Sequence, residues 1–504
     1  MALKKLLRVN KRPLLLEKRA SSVMIMTTVS FAVFTDVFLY GIIVPVVPYA
    51  LASRMGVAQD SLQRSISVAL FCYAAGLLVS SPLFGYLADV YQRRQRFMMI
   101  GLVALLGSSI MLCVARVLWV FVLGRLLQGM SAACVWTVGL ALVTDSFEEE
   151  KLGMVMGIIG LAMSLGVFLG PLLGGIIYDR AGYYATFAVV FAVIAFDIVL
   201  RLIMLEKKDV LKYKADSEKP GETEDIIDAG SSAEGAFQTN TENAVSRDST
   251  QPVKVIKRSG LLPAVRLLSN GRMLNVMFIS VIVAWVMTAL DSILPLHTET
   301  VFHFSSLGSG LIFLPVAITS LIAPAVGLWV DKKGPRWPLT LGLVLTCPFL
   351  ILLRLPKEND VGQIVLLFAI VSLLGLSLAL LLPATMTEIS TCVMAAEQNC
   401  PGIFGKGGAY GQAFGLFNFA YSAGSLFGPL QAGFVAEAHG WNTVTWTLGL
   451  ISAFSAIPAV LFTGGFVFAK KKSSLDGDSN DATEEESVGR SESVEAKSVS
   501  EGIH

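Results

Sequence analysis

The residues of this sequence that could do chemistry are the few ionisable ones inside long apolar stretches. Asp36 lies in the first stretch with Tyr40 one helical turn further on, Arg125 precedes Gln128 by three positions, and Asp291 lies in a later stretch. Charged groups at the centre of a bilayer normally face the interior of a helix bundle. A carboxyl group there can alternate between protonated and charged forms, which predicts that Asp36 exchanges a proton for a bound cation. The alternative is a permanently hydrogen-bonded acid that fixes helix packing.

The composition predicts that membrane helices position these residues. Of the 504 residues, 54% are apolar and 15% are charged, and the mean hydropathy is +0.67, which excludes a set of soluble domains. The 39 basic and 38 acidic residues cluster outside the apolar stretches, so nucleic-acid binding has no basis. The six cysteines have no paired spacing, and the spans contain no nucleophile triad, paired acids or metal-ligand signature. We therefore expect that the protein is not an enzyme and that it binds neither a cofactor nor a metal ion.

Twelve apolar stretches are long enough to cross the hydrocarbon core, which takes about 20 residues as a helix. The predicted spans 1 to 12 are 23–48, 66–87, 97–114, 119–143, 153–177, 183–205, 274–296, 306–330, 337–353, 362–387, 409–435 and 443–468. Lys and Arg are roughly three times as frequent on one side of these spans as on the other. This asymmetry predicts that both termini are cytosolic.

Changes in composition divide the chain into five regions. We predict a basic cytosolic N-tail (1–22), a six-helix bundle (23–206), a disordered cytosolic linker (207–272), a second six-helix bundle (273–470) and a disordered, acidic, Ser-rich cytosolic tail (471–504).

A short signature occurs once in each half. Its residues are Gly85, Asp89, Arg93 and Arg94 after span 2, and Gly327, Asp331 and Arg336 after span 8. The glycine and the aspartate are both displaced by 242 positions (327 − 85 and 331 − 89), which indicates a duplicated six-helix unit. Opposite charges there can tie helices together in one conformation and release them in another. We interpret the signature as a conformational gate; the alternative is that its basic residues only set the topology.

Span 5 is rich in glycine, which permits close helix contact, and contains a proline, which permits a bend. The residues are Gly166, Gly170, Pro171, Gly174 and Gly175. Gly170-Pro171 has an echo at Gly428-Pro429 in span 11, displaced by 258 positions (428 − 170). The second half has therefore gained 16 residues (258 − 242), which we place in a long loop from Glu388 to Gly408.

Polar and aromatic side chains within the spans predict a central cavity. Span 11 presents Asn418, Tyr421 and Ser422 at helical spacing. We expect the cavity lining to comprise Tyr40, Tyr73, Gln128, Trp136, Tyr421 and Ser422. The alternatives are interhelical hydrogen bonds for span 11 and simple packing for the aromatic residues. For Arg125, a structural role and a role in tuning a carboxylate are equally open.

These motifs together resemble those of the major facilitator superfamily over about residues 20 to 470. Gly85-x-x-x-Asp89-x-x-x-Arg93-Arg94 is similar to its loop 2/3 motif, and Arg125-Leu-Leu-Gln-Gly129 to its span 4 motif. The glycine run of span 5 is similar to the motif of its drug/proton antiporters. The resemblance implies an all-α fold of twelve transmembrane helices in two pseudo-symmetric six-helix bundles. It also implies export.

Two segments resemble the vesicular amine transporters within that superfamily. They are Thr35-Asp36-Val-Phe-Leu-Tyr-Gly-Ile-Ile-Val-Pro45 in span 1 and Ala289-Leu-Asp291-Ser-Ile-Leu-Pro295 in span 7. The resemblance implies that Asp36 is an amine and proton site and Asp291 a coupling acid. Three charged residues of that pattern are replaced here, by Tyr73, Leu378 and Asn418.

The leading hypothesis is therefore a proton-coupled antiporter that exports a small amphipathic organic compound: a drug, toxin, secondary metabolite or amine. We expect a monomer in a lipid bilayer whose partners are its small-molecule substrate and protons. The plasma membrane is favoured over a vacuolar or vesicular membrane. The alternatives are a nutrient uptake symporter and a non-transporting membrane sensor.

Overall fold

The computed structural model describes residues 19–91, 93–205, 263–304, 308, 311–404 and 408–465. These ranges contain helices and no strand. The α-helices are α1 (Ser22–Ile43), α2 (Val47–Met55), α3 (Gln59–Tyr91), α4 (Arg94–Val114), α5 (Leu118–Ser146), α6 (Leu152–Ile203), α7 (Pro263–Leu268), α8 (Gly271–Phe302), α9 (Leu314–Thr319), α10 (Ala323–Lys333), α11 (Arg336–Leu352), α12 (Val361–Ala379), α13 (Leu381–Asn399), α14 (Tyr410–His439) and α15 (Trp441–Phe462). Most of the predicted N-tail and linker, and all of the predicted C-terminal tail, lie outside the described residues.

The described helices are consistent with twelve passes through a membrane. By length and composition, nine stretches of the described residues qualify as spans, and the longest of them, Glu149–Ile203, has 55 residues. That stretch contains spans 5 and 6, because Gly182 breaks α6 with a φ of 80°. The shorter apolar helix α11 supplies span 9, and the 30-residue helix α14 supplies span 11. Spans 1 to 4 correspond to α1, α3, α4 and α5, span 7 to α8, span 8 to α9 and α10, span 10 to α12 and α13, and span 12 to α15.

Two boundaries differ from those expected from composition. Span 10 continues as α13 to Asn399, so Glu388 lies in a helix and is fully buried rather than opening a loop. Span 7 begins at Gly271, where the side chain of Asn270 accepts a hydrogen bond from the Arg272 backbone N–H at 3.0 Å. Polar residues near helix ends therefore belong to the helices here, although their composition resembles that of a loop.

Glycines of span 5 bring its backbone against span 1. A Cβ atom at Gly170 would lie 2.9 Å from the carbonyl oxygen of Phe38, and one at Gly174 would lie 2.2 Å from that of Ile42. Span 11 meets span 7 in the same way, because a Cβ at Gly428 would lie 2.6 Å from the Trp285 carbonyl oxygen. The predicted close packing of span 5 is confirmed. Small residues allow this approach, on which helix association in lipid depends.

We expect Gly174→Ala to destabilise the protein by about 1–3 kcal/mol, the usual cost of overpacking, whereas Gly175→Ala is neutral. The same methyl group would strike backbone at position 174 but has nothing within 4 Å at position 175. Thermal unfolding of the two purified variants in one detergent measures the difference. Equal melting temperatures would show that span 5 can move away from span 1 without cost.

Asp197 and Arg201 form a buried ion pair one helical turn apart in span 6. Two hydrogen bonds of 3.0 and 2.7 Å join the guanidinium to the carboxylate, and both side chains are fully buried. A further hydrogen bond runs from Arg201 to the carbonyl of Met98 in span 3. Both charges are therefore satisfied within one half of the molecule.

Candidate functional site

Asp36 lies in span 1 and faces span 4. Its side chain is 1% exposed, and its Oδ2 accepts a hydrogen bond of 3.0 Å from Nε1 of Trp136. Oδ1 has no hydrogen-bond partner among the described residues. Tyr73 of span 2 interacts with the same carboxyl group. An acid with one oxygen held and the other unpartnered can take up and release a proton without losing its anchor.

Arg125 of span 4 lies close to this acid's neighbours. The guanidinium carbon is 5.6 Å from the centroid of the Tyr40 ring, and the rings of Tyr40 and Tyr73 are 4.6 Å apart. Nη1 of Arg125 donates a hydrogen bond of 3.1 Å to Oε1 of Gln128, and both of these side chains are fully buried. Spans 1, 2 and 4 thus bring together six of the residues that the sequence singled out.

Asp291 of span 7 is exposed, unlike Asp36. It interacts electrostatically with Tyr40 of span 1 and with Tyr421 of span 11. The hydroxyl group of Tyr421 lies 3.8 Å from the sulfur of Met287, one helical turn before Asp291. The groups that interact with Asp291 therefore come from both halves of the molecule.

Span 11 also contacts the first half directly. The side-chain amide of Asn418 donates a hydrogen bond of 3.0 Å to the hydroxyl of Thr137 in span 4. Ser422, one turn further along, is fully buried, and its hydroxyl has no partner among the described residues. The interpretation of these residues as interhelical hydrogen-bonding groups therefore holds for Asn418, whereas Tyr421 and Asp291 form the more open part of the site.

At the end of span 2, Asp89 closes the gap between the halves. Its two carboxylate oxygens accept backbone hydrogen bonds from Gly411 and Gln412, both 2.8 Å long, at the start of span 11. A carboxylate at a helix N-terminus satisfies N–H groups that lack a partner within the helix and is favoured by the helix dipole. Arg94 lies 3.7 Å from the same carboxylate and 3.1 Å from that of Asp145 in span 4.

Asp331 makes the corresponding contact from the second half. Its oxygens accept hydrogen bonds of 2.5 and 2.8 Å from the backbone N–H groups of Gly153 and Met154, at the start of span 5. Close packing accompanies both contacts, because a Cβ atom at Gly85 or Gly327 would lie 2.6 or 2.0 Å from a carbonyl oxygen of the opposite half. We call these two contacts the latches.

Two further residues of the predicted gate, Arg93 and Arg336, lie beside the latches. Arg93 is exposed. Nε of Arg336 donates a hydrogen bond of 2.6 Å to the carbonyl of Thr463, at the end of span 12. Arg336 therefore joins spans 9 and 12 within the second half.

The profile of the Major Facilitator Superfamily (MFS) matches residues 29–399. This chain belongs to that superfamily. As an MFS transporter it is an integral, multi-pass membrane protein that handles small molecules, and it is not an enzyme.

Individual proteins agree with this assignment. The chain is 34% identical to the MFS-type transporter C18.02 of Schizosaccharomyces pombe over 451 residues, 87% of this chain and 95% of that protein. It is 26% identical to the multidrug resistance protein Stp of Mycobacterium tuberculosis, over 82% of this chain and 75% of that protein. The solved structure of the human organic anion transporter MFSD10 (TETRAN) has a TM-score of 0.62 at 16% identity, covering 87% of this chain and 99% of that one. This structural likeness confirms the MFS fold.

A third charged cluster of this MFS transporter includes Glu388, which was not among the predicted site residues. Glu388 accepts hydrogen bonds of 2.5 and 2.8 Å from Arg272 and one of 2.8 Å from the backbone N–H of Gly464. It thereby joins the start of span 7, the second half of span 10 and the end of span 12. The sequence held a signal, because Thr387-Glu388 in span 10 echoes Thr144-Asp145 in span 4.

Proposed function

We propose that this protein is a proton-coupled antiporter that exports a small amphipathic organic compound from the cytosol: a drug, toxin, secondary metabolite or amine. The observation that carries the proposal is the contrast between its two intramembrane acids. Asp36 is buried and held by Trp136, whereas Asp291 is exposed between the halves. Exchange needs one group that keeps a proton away from water and one that a substrate can reach.

In this proposal Asp36 carries the proton and Asp291 meets the positively charged group of the substrate. Tyr40 and Tyr73 lie beside Arg125, and Tyr421 lies beside Asp291. Aromatic rings bind cations through their faces and cover apolar surface, which suits an amphipathic compound. The likeness to a multidrug resistance protein supports efflux as the direction.

The latches provide the conformational part of the mechanism. Asp89 and Asp331 hold the two halves together on one side, while Asp291 remains exposed. Rocking of the halves would break the latches and open that side. We place the latch side in the cytosol with both termini, in keeping with the distribution of Lys and Arg. We also propose that the protein works as a monomer in the plasma membrane.

Uptake into proteoliposomes tests this function. The purified protein is reconstituted with an acidic interior, and a panel of fluorescent lipophilic cations is added outside. We expect accumulation at least tenfold above protein-free liposomes, and a protonophore that collapses the pH gradient should abolish it. Accumulation that survives collapse of the gradient contradicts proton coupling. If the whole panel stays outside, while a nutrient enters together with protons once the gradient is reversed to an acidic exterior, the protein is an uptake symporter.

A further inference from the structure

The guanidinium of Arg125 has an unoccupied edge. The side chain is fully buried, and its Nε and Nη2 atoms have no hydrogen-bond partner among the described residues. The salt bridges found within those residues do not include Arg125. Buried polar atoms are normally satisfied, and a buried charge without a counter-ion is costly. The edge formed by Nε and Nη2 is therefore suited to an anion that the protein itself does not supply.

Two other arginines of this chain show what such an edge binds. Nε and Nη2 of Arg201 donate to the two oxygens of Asp197 at 3.0 and 2.7 Å. The same two atoms of Arg272 donate to the two oxygens of Glu388 at 2.5 and 2.8 Å. In each case two parallel N–H donors of the planar guanidinium, which form a fork, pair with the two oxygens of one carboxylate. Arg125 presents the same pair of donors to no carboxylate among the described residues.

A negatively charged group also lies near the adjacent Tyr40 ring. Tyr40 interacts electrostatically with both Arg125 and Asp291, and its ring centroid is 5.6 Å from the guanidinium carbon. Asp291 is exposed and has no hydrogen bond or ion pair within the described part of the chain. A cation in span 4 and an anion in span 7 thus both interact with one half-buried ring.

We propose that the substrate is an aromatic zwitterion, whose carboxylate binds the Nε and Nη2 edge of Arg125 and whose ammonium group binds Asp291. The inference rests on the proposed function and narrows its substrate class. A compound with both charges pairs each of the two unpartnered groups. A simple amine leaves Arg125 unpaired, so it binds less well.

Three radiolabelled indole compounds distinguish the contributions of the substrate's ammonium and carboxylate groups. Tryptamine carries only the ammonium group, indole-3-propionate only the carboxylate, and tryptophan both. Uptake of each is measured in the same proteoliposomes with an acidic interior, using the wild type, Arg125→Gln and Arg125→Lys. We expect Arg125→Gln to lower the ratio of tryptophan to tryptamine uptake at least tenfold. Arg125→Lys should give an intermediate ratio, because lysine keeps the charge but lacks the fork.

Each uptake is corrected for that of protein-free liposomes, because an acidic interior traps tryptamine without a carrier. The corrected ratio is independent of how much of a variant folds, since both compounds use the same molecules. An unchanged ratio in Arg125→Gln overturns the inference. Stabilisation of the purified proteins against heat by each indole separates binding from transport. If tryptophan stabilises the wild type but not Arg125→Gln, while no indole is driven by the gradient, the inference stands and the proposed antiport fails. If tryptamine accumulates with the gradient but tryptophan neither binds nor accumulates, antiport stands and the inference fails.

Discussion

Asp36→Asn should reduce gradient-driven accumulation of a transported cation at least tenfold, to the level of protein-free liposomes. The amide oxygen of asparagine can still accept the hydrogen bond that Trp136 donates at 3.0 Å, so the packing of spans 1 and 4 is preserved. An amide cannot take up and release a proton, so the coupling is lost. The initial rate of uptake into proteoliposomes with an acidic interior measures this effect.

Two controls distinguish loss of coupling from loss of binding. Asp36→Glu keeps a carboxyl group and should restore a measurable part of the gradient-driven rate. Exchange of labelled for unlabelled substrate at equal pH on both sides should persist in Asp36→Asn, because Asp291 still meets the cation. Full gradient-driven uptake by Asp36→Asn would remove this acid from the coupling and leave Asp291 as the coupling acid.

The latches show how much of this architecture can be predicted from the sequence. Gly85 and Asp89 recur at 327 and 331, displaced by 242 positions, and these four residues supply one side of each latch. Their partners obey the second displacement, since Gly411 follows Gly153 by 258 positions (411 − 153). Both displacements were visible in the sequence. The contacts that they imply could not be predicted, because a repeat shows that two segments are alike but does not show which segment each one touches.

The surroundings of individual charges were harder to predict. Span limits follow hydropathy, which loses its signal where polar residues extend a helix, and Glu388 was therefore placed in a loop. The sequence indicated that Asp36 and Arg125 were unusual, since both lie in apolar stretches. Only the structure shows that Asp36 has Trp136 as its partner and that one edge of Arg125 is unoccupied. Such facts depend on the rotation of neighbouring helices, which a single sequence does not define.

Asp89→Asn combined with Asp331→Asn should open the latch side of the molecule. Each carboxylate accepts two backbone hydrogen bonds at a helix N-terminus, and an amide can replace only one of its two acceptor oxygens. Hydrogen bonds to a charged group contribute about 1.5–3 kcal/mol, so losing one at each latch costs about 3–6 kcal/mol in total. About 1.4 kcal/mol corresponds to a tenfold change in an equilibrium constant. The ratio of closed to open molecules should therefore fall at least about a hundredfold.

Distances between spin labels at Tyr91 and Lys333 report this change. Both residues are exposed, lie two positions after the latch acids and belong to opposite halves, so an opening of the latch side separates them. The labels are placed in a variant lacking the six native cysteines, which are free.

We expect one short distance in the parent and a dominant longer one in the double variant, with each single variant in between because the two latches are separate contacts. Asp179→Asn, the same change at an exposed acid close to the break between spans 5 and 6, should leave the distribution unaltered. A short distance that persists in the double variant would mean that glycine packing, rather than the two carboxylates, holds this side closed.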